Sequence, residues 1–462
     1  MSLVRSRAAA ALFSLGVLVP LSVEGQAQAQ AQAPSAEAGA ASGAEAMDVY
    51  AASQRAAAAE RAGDAAGYRR AVERVAALAP GHPAARFMSA RARAMTGDTA
   101  GAIAALATVA PLGAATDLGA DSAFKEMKGS PEFMRLAKLT TDNAAPVIRS
   151  DTAFGLGDPD LIPESVGYDP LYSTFYAGSL GENRIVRIAP SRAVTDFVTL
   201  GKAGAGRVVG IKVDEKRRML WAATYVFDSA AAPSRSGDRM RVALDVFDLA
   251  TSRRLRHIEP SDRSRAHFFN DVAIAADGSA YLTDMEGDAV FRVRPRRDGT
   301  PGDSLEALPR AEGRFTFPNG LDLSPDGRRL YVAHTEGISM WDLFSKEGGR
   351  AIEYPESATT AGVDGLYACA KSLVVVQRVL GFDQVARLKL DGSGRRVTEA
   401  TPLERRHPAY DGPTTGVVVK DALYYIPNSQ VARLGDAGEP LKAAETPKPS
   451  VVLRLPIGER CR

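Results

Sequence analysis

From about Asp151 to the end of the chain, apolar residues come in short runs bounded by turn residues, the pattern of strands rather than helices. The clearest stretch is Asn270-Asp271-Val272-Ala273-Ile274, followed by Asp277-Gly278 and then Tyr281-Leu282. It repeats as Asn319-Gly320-Leu321-Asp322-Leu323, Asp326-Gly327 and Leu330-Tyr331-Val332. The central Asp-Gly is a hairpin signal, and the residues after it suit a half-buried strand. Six units begin after a similar lead-in, at Glu164, Val209, Asn270, Asn319, Asp364 and Thr415, spaced 45 to 61 residues apart. Strand-rich units of this length are propeller blades. The pattern predicts a mainly β chain with a six-bladed β-propeller over residues 151–462. Val451-Val452-Leu453-Arg454-Leu455 supplies the strand that closes the ring and removes its sheet edge.

Residues 47–142 obey a different rule. Tyr68, Val72, Val75 and Leu78, then Phe87, Ala90 and Ala94, then Ile103, Leu106 and Val109 fall at helical spacing in an Ala-rich background. Gly63-Asp64 and Gly97-Asp98 recur 34 residues apart, and Pro80-Gly81-His82-Pro83 marks a unit boundary. This resembles tetratricopeptide repeats. Two roles are open: a groove for a protein or peptide partner, or a small helical cap packed on the propeller. His82 belongs to the turn and is given no chemical role.

The first 29 residues have the layout of an export signal: Arg5 and Arg7, an apolar stretch from Ala8 to Val23, and Ala27-Gln28-Ala29. Residues 30–46 form a flexible Ala/Gln/Ser/Gly-rich spacer. The expectation is a periplasmic or secreted protein with no membrane span once the signal is removed. The net charge of +2 arises from interspersed signs, with no basic tract for nucleic acid or anionic lipid. Export permits a bond between the two cysteines, Cys369 and Cys461. Cys369, however, lies within the apolar run Leu366 to Val376 and reads as a buried small hydrophobe.

If the six lead-in positions converge on the propeller axis, Glu164, Asn270, Asn319 and Asp364 bring two carboxylates and two amide oxygens to one point. Calcium takes 6–8 hard oxygen ligands, and this set would leave positions for water or substrate. Zinc or manganese also suits an all-oxygen site. Unpaired acids in a propeller channel are costly, so a bound cation also solves a stability problem. No phosphate-cradling Gly loop, Gly-x-Ser-x-Gly turn or Cys/His zinc spacing is present.

The units around Pro163-Glu164-Ser165, Phe269-Asn270-Asp271, Pro318-Asn319-Gly320 and Val363-Asp364-Gly365 resemble the regucalcin/gluconolactonase (senescence marker protein) family. They are similar at greater distance to paraoxonases and squid-type diisopropylfluorophosphatase. The resemblance spans about Asp151 to Arg462. It implies a calcium-carrying propeller with Glu164, Asn270, Asn319 and Asp364 as ligands and Asp364 doubling as general base or nucleophile. Where sugar lactonases of the family carry an Arg two residues before the first Asn ligand, this chain has Phe268. The lip His267-Phe268-Phe269 implies a more apolar substrate than a sugar acid.

His267, three residues before Asn270, and His407, in the loop before the sixth unit, are the candidates for assisting proton transfer. Asp271 is the candidate acceptor behind the ligands. His334, ending the strand after Asn319, is expected on the side opposite the ligands. Two function classes emerge: a metal-dependent lactonase or esterase acting on a small molecule, or a non-catalytic scaffold in which the ion staples the ring and the helices recruit a partner.

Overall fold

The computed structural model describes residues 49–200, 206–379, 382–434, 448–459 and 461; the expected export signal (1–29) and spacer (30–46) lie outside the described residues. Among those described, no helix is long and apolar enough to cross a membrane. The N-terminal helices are α1 (Val49–Arg61), α2 (Ala65–Leu78), α3 (Pro83–Met95), α4 (Thr99–Val109) and α5 (Pro131–Asp142), with 3-10 turns between α4 and α5. The 34-residue recurrence has a local cause. Gly63 and Gly97 adopt left-handed φ values of 69° and 82°, which end one helix. Asp64 and Asp98 then cap the next by accepting from Gly67 N (2.8 Å) and Gly101 N (2.9 Å).

The strands assemble into six four-stranded antiparallel sheets, as the sequence pattern requires. The inner strands are β2 (Pro163–Asp169), β6 (Arg207–Asp214), β10 (Phe269–Ile274), β14 (Leu321–Leu323), β18 (Val363–Ala368) and β22 (Gly416–Val419). Five sheets use consecutive strands. The sixth is shared by both ends of the propeller: β24 (Val451–Pro456) inserts between β23 (Ala422–Tyr425) and β1 (Asp151–Gly155), which is outermost. Here the expected closing strand is found.

Cys369 and Cys461 are joined in a disulfide across a sequence separation of 92. The reading of Cys369 as only a buried hydrophobe is corrected: it is buried, at 4 % exposure, and also bonded. Burial and pairing are compatible because the tail after β24 runs back over the fifth blade, where Ser372 and Arg387 hold Glu459.

Of the two roles open for the helices, the structure displays the packed one. Val49, Ala52, Val75, Leu78, Ala79 and Ala85 share one core with Leu180, Val209, Phe268, Phe269 and Phe317 of the propeller. The Tyr50 ring sits 6.3 Å from that of Phe317. Phe268 and Phe269 are 0 % and 1 % exposed within that shared core, so the expected apolar lip is buried rather than offered to substrate. Residues 143–150, between helices and propeller, are tied to the fifth blade. Glu404, itself fully buried, accepts from Arg149 N, Ser150 N, Ser150 Oγ (2.7 Å) and Tyr425 Oη (2.6 Å).

Candidate functional site

The inner strands explain how residues from six distant stretches meet. In four blades the ladder between first and second strand slips across the lead-in pair: between Pro163 and Val166, Val208 and Ile211, Phe269 and Val272, and Val363 and Leu366. Such bulges re-aim a side chain out of the sheet's alternation. In the fourth and sixth blades the lead-in residues Asn319 and Thr415 stand just ahead of the first strand. Ile162 and Phe317, each two residues before a lead-in acid or amide, hold φ values of 43° and 50°, and Gly362 repeats this before Asp364 at 69°. Positive φ in non-glycine residues costs of order 1–3 kcal/mol and gathers at functional sites.

Adjacent lead-ins touch from blade to blade around the ring. Ser165 Oγ donates to Val209 O (2.6 Å), Thr283 Oγ1 to Asn319 O (2.8 Å) and Thr415 Oγ1 to Glu164 O (2.8 Å). The remaining steps need glycine. A Cβ on Gly210 would stand 2.1 Å from Asn270 O, and one on Gly320 would stand 2.1 Å from Asp364 O. Ser165, Gly210 and Gly320, each one place after a lead-in, thus set three of these steps, while Thr283 and the lead-in Thr415 itself set two more.

Glu164, Asn270 and Asp364 are 3 %, 4 % and 6 % exposed. Burial, and after it the neighbouring Asp364, pushes the Glu164 carboxyl well above its usual range. Burial likewise raises Asp364, against the pull of the Arg378 guanidinium. Glu164 accepts from Thr414 Oγ1 (2.9 Å) and Ser429 Oγ (3.2 Å). Asn270 Nδ2 is engaged by Met285 Sδ at 3.0 Å. By contrast, Asn319 Oδ1 and Asp364 Oδ1 are buried with no hydrogen-bond partner. Orphaned acceptors of this kind are rare and call for an explanation. Among the described residues no three His, Cys, Asp or Glu side chains gather into a metal cluster. Asn319 and Asp364 line one cavity, and Glu164 lies within electrostatic reach of Asp364, so two carboxylates and one amide are drawn together, hard oxygens of the kind a divalent cation takes.

A small cavity of about 40 Å³ is lined by Asn319, Asp364, Arg378, His334, Phe317 and His82, among others. Three of these are not foreseeable from the sequence pattern. His334 is expected on the opposite side, but the second strand runs antiparallel to the first and returns to its starting end, where Asn319 N donates to Ala333 O. There its ring is held between Glu336 (2.9 Å) and Ser339 (2.9 Å). Arg378 comes from the end of the strand paired with β18. Its guanidinium makes no ion pair or hydrogen bond among the described residues. His82 arrives from the helical segment, 2 % exposed, with burial pushing its pKa down to about 4.

The other candidates lie elsewhere. His267 lines two cavities away from Asp364, and both its ring nitrogens are engaged, by Asp284 (2.6 Å) and by Asp262 O (2.8 Å). Mouth placement for proton transfer is thus corrected: the turn carrying it is pinned to the following strand. His407 accepts from Ala409 N (3.1 Å), and its ring lies tilted 5.9 Å from that of Tyr410, within its own turn. Asp271 receives Val272 N (2.8 Å) and Leu321 N (3.3 Å), bracing the backbone just after Asn319.

Residues 163–401, just over half the chain, match the family model described as the SMP-30/Gluconolactonase/LRE-like region. No curated protein matches the chain. Among solved structures, a gluconolactonase from Xanthomonas campestris is 16 % identical and covers 67 % of this chain and 95 % of its own, with a TM-score of 0.43. A putative gluconolactonase is 17 % identical, covering 69 % and 94 %, with a TM-score of 0.40. Virginiamycin B lyase from Staphylococcus aureus is 11 % identical, covering 66 % and 99 %, with a TM-score of 0.40.

Proposed function

As the chain belongs to the SMP-30/gluconolactonase/LRE-like family, we propose that it is an exported hydrolase of the lactonase or esterase type. Its substrate is a small molecule bound at the propeller axis, and its cofactor is a divalent cation, calcium before zinc or manganese. Glu164, Asn270, Asn319 and Asp364 would hold the ion. The observation that carries this reading is the pair of buried, unpartnered oxygens, Asn319 Oδ1 and Asp364 Oδ1, beside a buried Glu164. When bound, the cation supplies Lewis-acid polarisation of a carbonyl or phosphoryl oxygen.

The protein's own groups do the rest. Asp364 takes the proton of the attacking water, or attacks directly, and the Arg378 charge beside it keeps a useful fraction of its carboxyl ionised. Arg378, unpaired among the described residues, is free to receive negative charge that develops on the substrate. Phe317 and Met285 give the cavity two apolar walls. Export is supported by the disulfide, which persists in oxidising compartments.

The cavity's small volume favours one alternative, a non-catalytic ring stapled by its ion. The test is a panel of lactones and aryl esters assayed with calcium and with chelator, repeated on Asp364→Asn. Loss of at least about a hundredfold in turnover in the variant and in chelator is expected. No turnover in the parent, together with a chelator-induced drop in melting temperature, supports the staple instead.

A further inference from the structure

His82 has a placement that helix capping does not account for. Its Nδ1 accepts from Ala84 N at 3.2 Å and so caps α3. Asp64, Asp98 and Ser130 do the same task for α2, α4 and α5 with the short oxygen side chains that N-caps favour. Imidazole is bulkier, and here it is almost wholly buried against the propeller. The turn that carries it is seated on the rim of the fourth and fifth blades. Thr359 Oγ1 donates to Gly81 O (3.3 Å), and a Cβ on Gly81 would lie 2.1 Å from the Tyr354 hydroxyl. With Nδ1 an acceptor, the neutral ring carries its proton on Nε2. That N–H belongs to a side chain lining the same cavity as Asn319 and Asp364.

We propose that the helical segment completes the axial site, His82 presenting Nε2–H as a donor to an acyl oxygen of a small lactone or ester. This rests on the hydrolase reading above and adds a specificity residue to it.

The test uses the full chain, calcium, and two probes, phenyl acetate and δ-valerolactone. His82→Asn keeps a short acceptor for Ala84 N while withdrawing the donor from the cavity. Its melting temperature should stay within about 2 °C of the parent, since the cap survives. kcat/KM for both probes should fall about tenfold, carried mainly by kcat, the effect of losing one donor to an oxygen that gains negative charge as the acyl carbon is attacked. Unchanged kinetics in a folded His82→Asn overturn the proposal and leave the hydrolase standing. A parent that turns over neither probe counts against the hydrolase instead. A second readout then decides His82: its Nε2 resonance in 15N-histidine-labelled parent during addition of 5-hydroxyvalerate, the lactone's product. A saturable shift is expected, and an unmoved resonance overturns the proposal whatever the turnover.

Discussion

Glu164 and Asp364 are two buried acids, and the charge of Asp364 adds to burial in disfavouring that of Glu164. A dication removes that penalty, so calcium should stabilise the parent by about 2.7 kcal/mol at a hundredfold excess over its dissociation constant. Calorimetry of Glu164→Gln should show most of that increment gone; an equal increment in the variant would remove Glu164 from the ligand set. His257 offers a separate check far from the axis. Its Nδ1 lies 2.8 Å from Asp245 Oδ1, and that hydrogen bond is the main cause that raises its pKa. A raised histidine stabilises below its unfolded pKa near 6.5 and loses that contribution as pH climbs through the folded value. The melting-temperature advantage of the parent over His257→Gln should therefore be present at pH 6 and shrink by pH 8.5, by a small amount, since the ring is 43 % exposed. The lead-in residues are legible one by one because each precedes a strand in the same register. His82 is not: a histidine in a Pro-Gly-His-Pro turn signals a turn and nothing about which surface the turn will meet.

At the scale of elements, several inner strands depend on the residue one place beyond the lead-in, as at Ser165, Gly210 and Gly320. Gly320 permits the approach of Asp364 O, and a methyl there would need a shift of backbone rather than of a flexible side chain. Gly320→Ala should cost about 1–3 kcal/mol by denaturant unfolding. The Asn-Gly pair is readable as a strand lead-in, but its glycine serves a contact with a distant blade that no local pattern announces. The bulges are equally silent, since an extra residue in a ladder is visible only against its partner strand. His334 shows the opposite failure. Its strand is identifiable, but placing its end requires tracing the hairpin back to its own starting point. The helices are well signalled by spacing and by their Gly-Asp caps, while their docking is not. Apolar residues such as Val49, Ala52 and Val75 look the same whether they face another repeat or a propeller. Leu78→Ala, removing one such contact, should cost about 2–5 kcal/mol in the same unfolding measurement.

For the whole molecule, the number of blades is readable because the strand pattern restarts six times, and the closing strand because a last apolar run comes after the sixth. The disulfide is open in sequence, as two cysteines 92 residues apart permit but do not demand a bond. Reducing it, or replacing both cysteines by alanine, should cost about 2–4 kcal/mol, read as a lower denaturant midpoint under reducing conditions. The sharing of the sixth sheet by both ends of the propeller bears on biosynthesis. β1 leaves the ribosome before any other strand of the ring, and its hydrogen-bonding partner, β24, is nearly the last to emerge. Five blades can take shape on a growing chain, but the toroid stays a horseshoe until β24 has been made. A product stopped short of Val451 keeps two raw sheet margins and is a ready target for aggregation and for proteases.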